Sequence, residues 1–267
     1  MSNTTLVNLY YGTYHSLKFI YKLLLTFYSV LSACFAGFWL GVLKRNTLLA
    51  IDERYYSSHA RYQDNDYNRS GLWLWEDDMM ARYFEGKKQL VLVGAGAGRE
   101  VLALRRLGYD VQGFECNADL VKNANVMLEQ EGFPPNVQVS PPDICPPSGQ
   151  TFDGLIVGWG AYMLIQGRAK RIALLKSMRE QGDTGAPLLV SFFVRRPDEQ
   201  RYKIIAALGN FFRRLSGRDL IEVGDDLEPE YVHYFTEEEL SKELTEAGFR
   251  LEYFADTPYG HAVAFAE

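Results

Sequence analysis

The chain has 267 residues, 47% of them hydrophobic, enough apolar material for one large packed domain or for a domain with an appendage. Its net charge of −6 leaves no basic field to hold a polyphosphate backbone, which disfavours nucleic acid as a partner. The three cysteines (Cys34, Cys116, Cys145) form no CxxC pair and the four histidines (His15, His59, His233, His261) lack metal-ligand spacing, so reduced thiols, a cytoplasmic setting and no metal site are expected.

Residues 1–50 differ from the rest: they are rich in tyrosine and leucine and contain no proline. Leu23 to Leu43 carries no charge, with Lys18 and Lys22 before it and Lys44-Arg45 after it. A run of this length is what a bilayer-spanning helix needs, but Thr26, Ser29, Ser32, Gly37 and Gly41 dilute it. Three readings stand: a soluble helical cap over a site, a helix lying on a membrane, and a true span, with residues 17–45 making any membrane contact. A secretory signal is disfavoured, because no small-x-small cleavage pattern ends the run. Residues 51–88 form an aromatic-rich lead-in. Up to Leu72 it reads as an ordered loop, since so many tyrosines do not suit a disordered tether. Trp73 to Phe84 reads as a helix.

Leu90-Val91-Leu92-Val93 then runs into Gly94-Ala95-Gly96-Ala97-Gly98, and a helical pattern follows at once (Val101, Leu102, Leu104, Leu107). This is a buried parallel strand, a tight turn and a helix start. Glycines let a ligand approach the backbone N–H groups, and a helix N-terminus adds partial positive charge. Tyr109 to Glu115 reads as a second strand ending on an acid. Glu115 lies 21 residues after Gly94, near the roughly 20-residue offset at which a carboxylate meets ribose hydroxyls in dinucleotide folds. The dinucleotide fingerprint itself is not met, because Arg99 or Val101 stands where its third glycine belongs.

The spacing Gly-x-Gly-x-Gly resembles motif I of the class I S-adenosylmethionine-dependent methyltransferases, and the resemblance covers about Gln89 to Glu267. One departure is plain: Leu92 stands where that family often carries an acid, two positions before the first glycine. The resemblance implies an α/β fold, a Rossmann-like doubly wound seven-stranded sheet with an antiparallel last strand, here with a helical N-terminal appendage. It implies S-adenosylmethionine as cofactor, held by Gly94, Ala95, Gly96, Gly98, Glu115 and Asn117. Arg69 would meet the methionine carboxylate, and Trp75 or Tyr67 would face the sulfonium.

Further elements follow in the order this fold expects. Asn117 to Glu131 is a helix with Asn117 as N-cap, and Asn136 to Ser140 is a short strand. The proline-rich Pro141 to Pro147 excludes helix. By the resemblance, Asp143 accepts from the adenine amino group and Ile144 packs on the ring. Phe152 to Val157 is the fourth strand, and Gly158 and Trp159 at its end would lie beside the transferable methyl group. Arg168 to Arg179 is an amphipathic helix and Pro187 to Val194 an apolar strand. Pro197 to Arg218 is a basic helical insertion. Thr236 and Glu239 form a capping box before a helix that ends at Gly248. Phe249 to Phe254 and His261 to Phe265 close the chain as two strands.

A methyltransferase domain is thus expected over 89–267, with an insertion at about 197–218. The expected reaction is in-line methyl transfer to a small-molecule or lipid-like acceptor. Alignment supplies most of the catalysis, so no acid–base dyad is required. Where a base is needed, His233 is the first candidate, then His261 and Tyr162. Two rivals stand beside this: an aminopropyl transferase on the same fold, and a catalytically silent nucleoside-binding scaffold attached to a membrane.

Overall fold

The computed structural model describes residues 3–196 and 199–267; the first two positions of the basic insertion lie outside the described residues. In chain order come α1 (Asn3–Val42), α2 (Arg45–Ser58), the one-turn helices α3 (Ala60–Gln63) and α4 (Asn65–Asn68), and α5 (Leu74–Tyr83). Then follow β1 (Gln89–Val93), α6 (Arg99–Arg106), β2 (Asp110–Glu115), α7 (Ala118–Gln130), β3 (Val137–Val139) and β4 (Gly154–Val157). After a 3-10 turn at Tyr162–Leu164 come α8 (Arg168–Arg179), β5 (Pro187–Val194), α9 (Gln200–Leu215), β6 (Asp225–Leu227), β7 (Tyr231–Phe235), α10 (Glu237–Glu246), β8 (Phe249–Ala255) and β9 (Gly260–Ala266). Two compact units result, one holding α1 and α9 and the other holding α2 to β5 and β7 to β9.

In the larger unit the strands run β3-β2-β1-β4-β5 in parallel, β9 pairs antiparallel with β5, and β8 pairs antiparallel with β9. That is the seven-stranded sheet with its antiparallel last strand. The short β7 is an addition, paired in parallel with the end of β5 through Phe193↔Tyr234 and Val194↔Phe235. β1 shows why the sheet is doubly covered. Val91 and Val93 enter one apolar core with Ile172, Leu175, Leu240 and Leu244, while Leu90 and Leu92 enter the other with Val101, Leu104 and Met79. Successive strand residues face opposite sides, so an unbroken apolar run requires helices on both faces. From β1 the chain steps outward to β2 and β3, then returns to β4 on the other side of β1. That reversal opens a crevice at the carboxyl ends of β1 and β4.

Local signals hold where they are chemical. Asn117 Oδ1 accepts from the Asp119 and Leu120 N–H groups, and Thr236 with Glu239 forms the capping box. Two segments differ from expectation. Residues 51–68 are largely helical rather than a loop, and β7 precedes the last helix. α2 buries only Leu48, so its sequence lacks the apolar period by which a helix is read.

In the smaller unit α1 is one helix of 40 residues, about 60 Å long. It is exposed up to about Ser32, and then Ala33, Ala36, Gly37, Leu40 and Gly41 are buried. That stretch lies along α9, with Gly37 against Ile205 and Gly41 against Gly209. A Cβ on Gly37 would stand 2.8 Å from the Ile205 carbonyl oxygen, so the two backbones approach as closely as glycine permits. The basic residues of the insertion serve this unit. Arg213 donates to the Leu40 carbonyl and Arg218 to the Gly41, Val42 and Leu43 carbonyls, which satisfies the open carbonyls at the end of α1. Arg201 pairs with Asp226 and donates to Ser32 Oγ. Replacing Gly37 by Val should weaken this packing by about 1–3 kcal/mol, the range for overpacking a close contact. Limited proteolysis should then cut near Leu43 faster than in the wild-type chain, with the larger unit unchanged.

Candidate functional site

The turn from β1 to α6 is built by hydrogen bonds to the end of β2. Gly94 and Ala95 N–H both donate to the Phe114 carbonyl, at 2.8 and 2.9 Å, and Gly96 N–H donates to Glu115 Oε2 at 2.8 Å. Gly94 has φ +77°, and a Cβ there would collide with Ala161 Cβ at 2.3 Å. A Cβ on Gly158 would lie 2.2 Å from the Gly94 carbonyl oxygen. Both positions therefore exclude side chains for want of space, and the ends of β1 and β4 close on each other.

Above this turn lies a cavity of about 340 Å³, within the usual range for a small-molecule site. Val93 to Ala97 and Val157 form its base, Glu115, Cys116 and Asn117 one side, and Trp159 to Ala161 with Met163 to Ile165 much of the other. Ser140, Pro141 and Pro142 close one end, while Leu49, Asp52, Glu53 and Tyr56 of α2 and Tyr62, Tyr67 and Asn68 of the next two turns wall it. The wall is pinned by polar contacts. Arg45 at the start of α2 pairs with Asp143 at 3.0 Å, the Tyr231 N–H donates to Asp52 Oδ1 at 3.0 Å, and Asn117 Nδ2 donates to Ser57 Oγ at 2.9 Å.

Of the residues singled out from sequence, Gly94, Ala95, Gly96, Glu115, Asn117, Trp159 and Tyr67 line the cavity. Gly98 stands behind it at the start of α6, packed on Ala124, and Gly158 lies beneath the turn. Asp143 is turned to Lys170, at 2.7 Å, and Arg45, and Ile144 is exposed. Although burial opposes it, those two cations hold the Asp143 carboxyl below the usual range. Arg69 is drawn away to Glu131 and Gln130, at 2.7 Å each.

The three candidate bases lie outside the cavity lining. His233 is buried with its ring 4.5 Å from that of Phe235. Tyr162 donates its hydroxyl to Glu243, which also holds the fully buried Arg171 at 2.7 Å. His261 stacks on Trp75 at 4.7 Å with Nδ1 on the Tyr259 carbonyl, so Trp75 is core rather than site. Each has been absorbed by packing, the commoner fate of an isolated ring in an apolar strand.

The cavity brings together groups that no motif marked: Asp52, Tyr56, Glu100, Tyr62, Asn68 and Cys116. Glu100 lies beside the glycine turn and accepts from the Trp159 N–H at 3.1 Å. Burial pushes its carboxyl up, with Arg99 opposing. Arg99 is itself held by Glu76 through two contacts of 2.7 Å, so it lends the cavity little positive charge. Burial raises Asp52 from 3.8 to about 7, against the Tyr231 N–H and with Glu230 adding to it. Four carboxylates therefore face a space whose one lining cation is spoken for, and such a field favours a positively charged guest.

The raised Asp52 sets a pH dependence. Below about pH 4 the group is neutral folded and unfolded, and its burial is harmless. Between about pH 4 and 7 the unfolded chain ionises it while the fold keeps it protonated, so stability falls as pH rises and the loss is complete above the folded value. Asp52→Asn removes this loss and keeps an acceptor for Tyr231. Its melting temperature relative to wild type should therefore rise between about pH 4.5 and pH 8 in thermal denaturation.

No family model matches the chain, and no curated protein does. Solved structures do match. One is a SAM-dependent methyltransferase from Methanosarcina mazei, with TM-score 0.57, 19% identity and coverage of 73% of this chain and 98% of that one. Another is CalS10, an amino pentose methyltransferase from Micromonospora echinaspora, solved with SAM bound, with TM-score 0.53, 17% identity and coverage of 85% and 98%. A third is magnesium protoporphyrin IX methyltransferase from Synechocystis PCC 6803, with TM-score 0.53, 14% identity and coverage of 82% and 100%. The likeness lies in the fold: parallel strands in the order β3-β2-β1-β4-β5, the antiparallel return of β9, and a glycine turn at the switch point. The chain has the fold of these S-adenosylmethionine-dependent methyltransferases.

Proposed function

We propose that this chain is an enzyme that transfers the methyl group of S-adenosylmethionine to a small-molecule or lipid-like acceptor by in-line displacement. The observation that carries the reading is the Glu115 carboxylate, opening into the cavity at the end of β2 while bonded to the Gly96 N–H. The residues present fit the cofactor. Glu115 would take the ribose hydroxyls, Cys116, Leu120, Pro141 and Pro142 would enclose the base, and the Gly94 to Gly96 backbone with Trp159 would take the methionine portion. Bound there, the cofactor supplies an activated methyl on a cationic sulfur, and the acidic lining suits that charge. Tyr56, Tyr62 and Tyr67 shield the cavity, and water exclusion strengthens every charge interaction inside it.

A second reading has its own support. The same acids would suit a polyamine and hence aminopropyl transfer on this fold. The by-product separates the two, S-adenosylhomocysteine for methyl transfer and methylthioadenosine for aminopropyl transfer. A catalytically silent nucleoside-binding scaffold would release neither. Calorimetry should detect S-adenosylhomocysteine binding to the full chain. Glu115→Ala should weaken it by at least about tenfold, as expected when a charged hydrogen-bond acceptor is lost.

We further infer cytoplasmic residence with membrane contact through residues 17–45. Leu17, Leu24, Leu31 and Phe35 are all exposed and share one face of α1. Asn8, His15, Lys22 and Ser29 fall seven residues apart on another, in line with Ala36. A helix so divided suits the boundary between lipid and water. In flotation with vesicles containing anionic phospholipid, the wild-type chain should rise with the lipid. Leu17→Glu with Leu24→Glu should reduce the bound fraction at least about tenfold, since each substitution forfeits roughly 1.5–3 kcal/mol of apolar burial.

A further inference from the structure

The acids of the cavity outnumber those the proposed cofactor can use. Glu115 is assigned to the ribose, and Glu100 is committed to the Trp159 N–H. Asp52 is left over. It stands on the cavity wall, and Gln166, directly after the segment from the end of β4, lies beside it. Glu230, in the lead-in to β7, adds its charge to the same spot. Glu230 is only 9% exposed, and its Oε2 is buried without a hydrogen-bond partner. The Gln166 side-chain nitrogen is buried and bears on Asp52 as a donor that favours its charged form. The ion pairs among the described residues give neither Asp52 nor Glu230 a Lys or Arg; the charge acting on Glu230 is another acid, Glu228.

A carboxylate oxygen withdrawn from water without a donor, as Glu230 Oε2 is, is costly, and the neighbouring acid Asp52 adds to that cost although its Oδ1 accepts from the Tyr231 N–H. A cationic guest bearing N–H donors would meet Asp52 on the cavity wall and offset the Glu230 charge behind it. A phosphate or carboxylate acceptor would deepen the imbalance, and a neutral hydroxyl would leave it.

We propose that Asp52, backed by Glu230 and Gln166, receives the amino group of the methyl acceptor, so that the acceptor is an amine. The proposal rests on the methyl-transfer reading and assigns the substrate class of that site. An ammonium has no lone pair to offer. Asp52 takes one proton from R–NH3+. The freed lone pair forms the N–C bond as the S–C bond breaks, and the bonding electrons stay on sulfur. The products are R–NH2–CH3+ and S-adenosylhomocysteine, and Asp52 returns its proton to solvent. Burial places Asp52 near neutrality, where it is suited to this exchange. The titratable groups coupled to it are Glu230, Tyr56 on its own helix and Cys116 after β2, all acidic or neutral.

The test compares two ligands on the full chain by calorimetry. Sinefungin carries an amine where the cofactor carries its methylated sulfur; S-adenosylhomocysteine has the sulfur and no charge there. At about pH 8 the wild-type chain should bind sinefungin at least about tenfold more tightly, and near pH 5.5, with Asp52 protonated, the preference should shrink severalfold. Asp52→Asn should bring the ratio close to one, and Glu230→Gln should lower it part of the way. A wild-type ratio near one, or a ratio that Asp52→Asn leaves unchanged, overturns the proposal. Should Asp52→Asn fail to fold, Glu230→Gln and the wild-type pH dependence decide in the same sense. Failure of both ligands to bind the wild-type chain would instead overturn the methyl-transfer reading.

Discussion

The hydrogen bond from the Gly96 N–H to the Glu115 carboxylate holds the site together. It joins two turns that are 19 residues apart in sequence but level in space, because the parallel register sets Val93 opposite Phe114. Glu115 accepts from the Asn117 N–H as well, so one side chain orders the turn after β1 and the start of α7. This resolves the departure at Leu92. The ordering that an acid two residues before the first glycine would provide is supplied by Glu115 and the Phe114 carbonyl, and Leu92 is free to be buried core.

Around that bond the cavity is built from unequal materials. Its base is apolar strand and glycine turn, rigid because both faces of the sheet are packed. Its wall is α2 and the two turns after it, held by the Arg45–Asp143–Lys170 cluster, by Asp52 and by Asn117 with few apolar contacts. Segments held this way open at lower free energy than core strands do. A cofactor-sized guest needs such a wall, since it must enter a space that is later closed to water. On our proposal the same polar wall concentrates acids where an amine would come to lie.

The basic run around residues 195–218 shows how local charge misleads. In sequence it is a basic helix, read first as a solvated face, with an acidic substrate or anionic lipid as alternative partners. In the structure Arg195 bonds Glu239 and the Tyr234 carbonyl, Arg201 bonds Asp226, and Arg213 and Arg218 satisfy the last carbonyls of α1. Charges adjacent along the chain thus have separate structural tasks, and four of the seven basic residues of this run are engaged within the fold. The candidate bases misled in the converse way. His233, His261 and Tyr162 stood out because reactive residue types are few here, yet each is enclosed by apolar or aromatic neighbours.

The sequence by itself determined the sheet, the glycine turn, the acid at the end of β2 and both helix caps. These rest on interactions within a few residues or on an apolar period, and such patterns are visible without knowing what lies opposite. Only the tertiary structure decided which side chains meet across the cavity. α2 buries one large apolar residue, so periodicity had nothing to register, and Asp143, Arg69 and Tyr162 were claimed by Lys170, Glu131 and Glu243, 27 to 81 positions away. Which of several possible partners a charged or aromatic side chain takes depends on distance and desolvation in the assembled fold, and a linear string of residues carries neither.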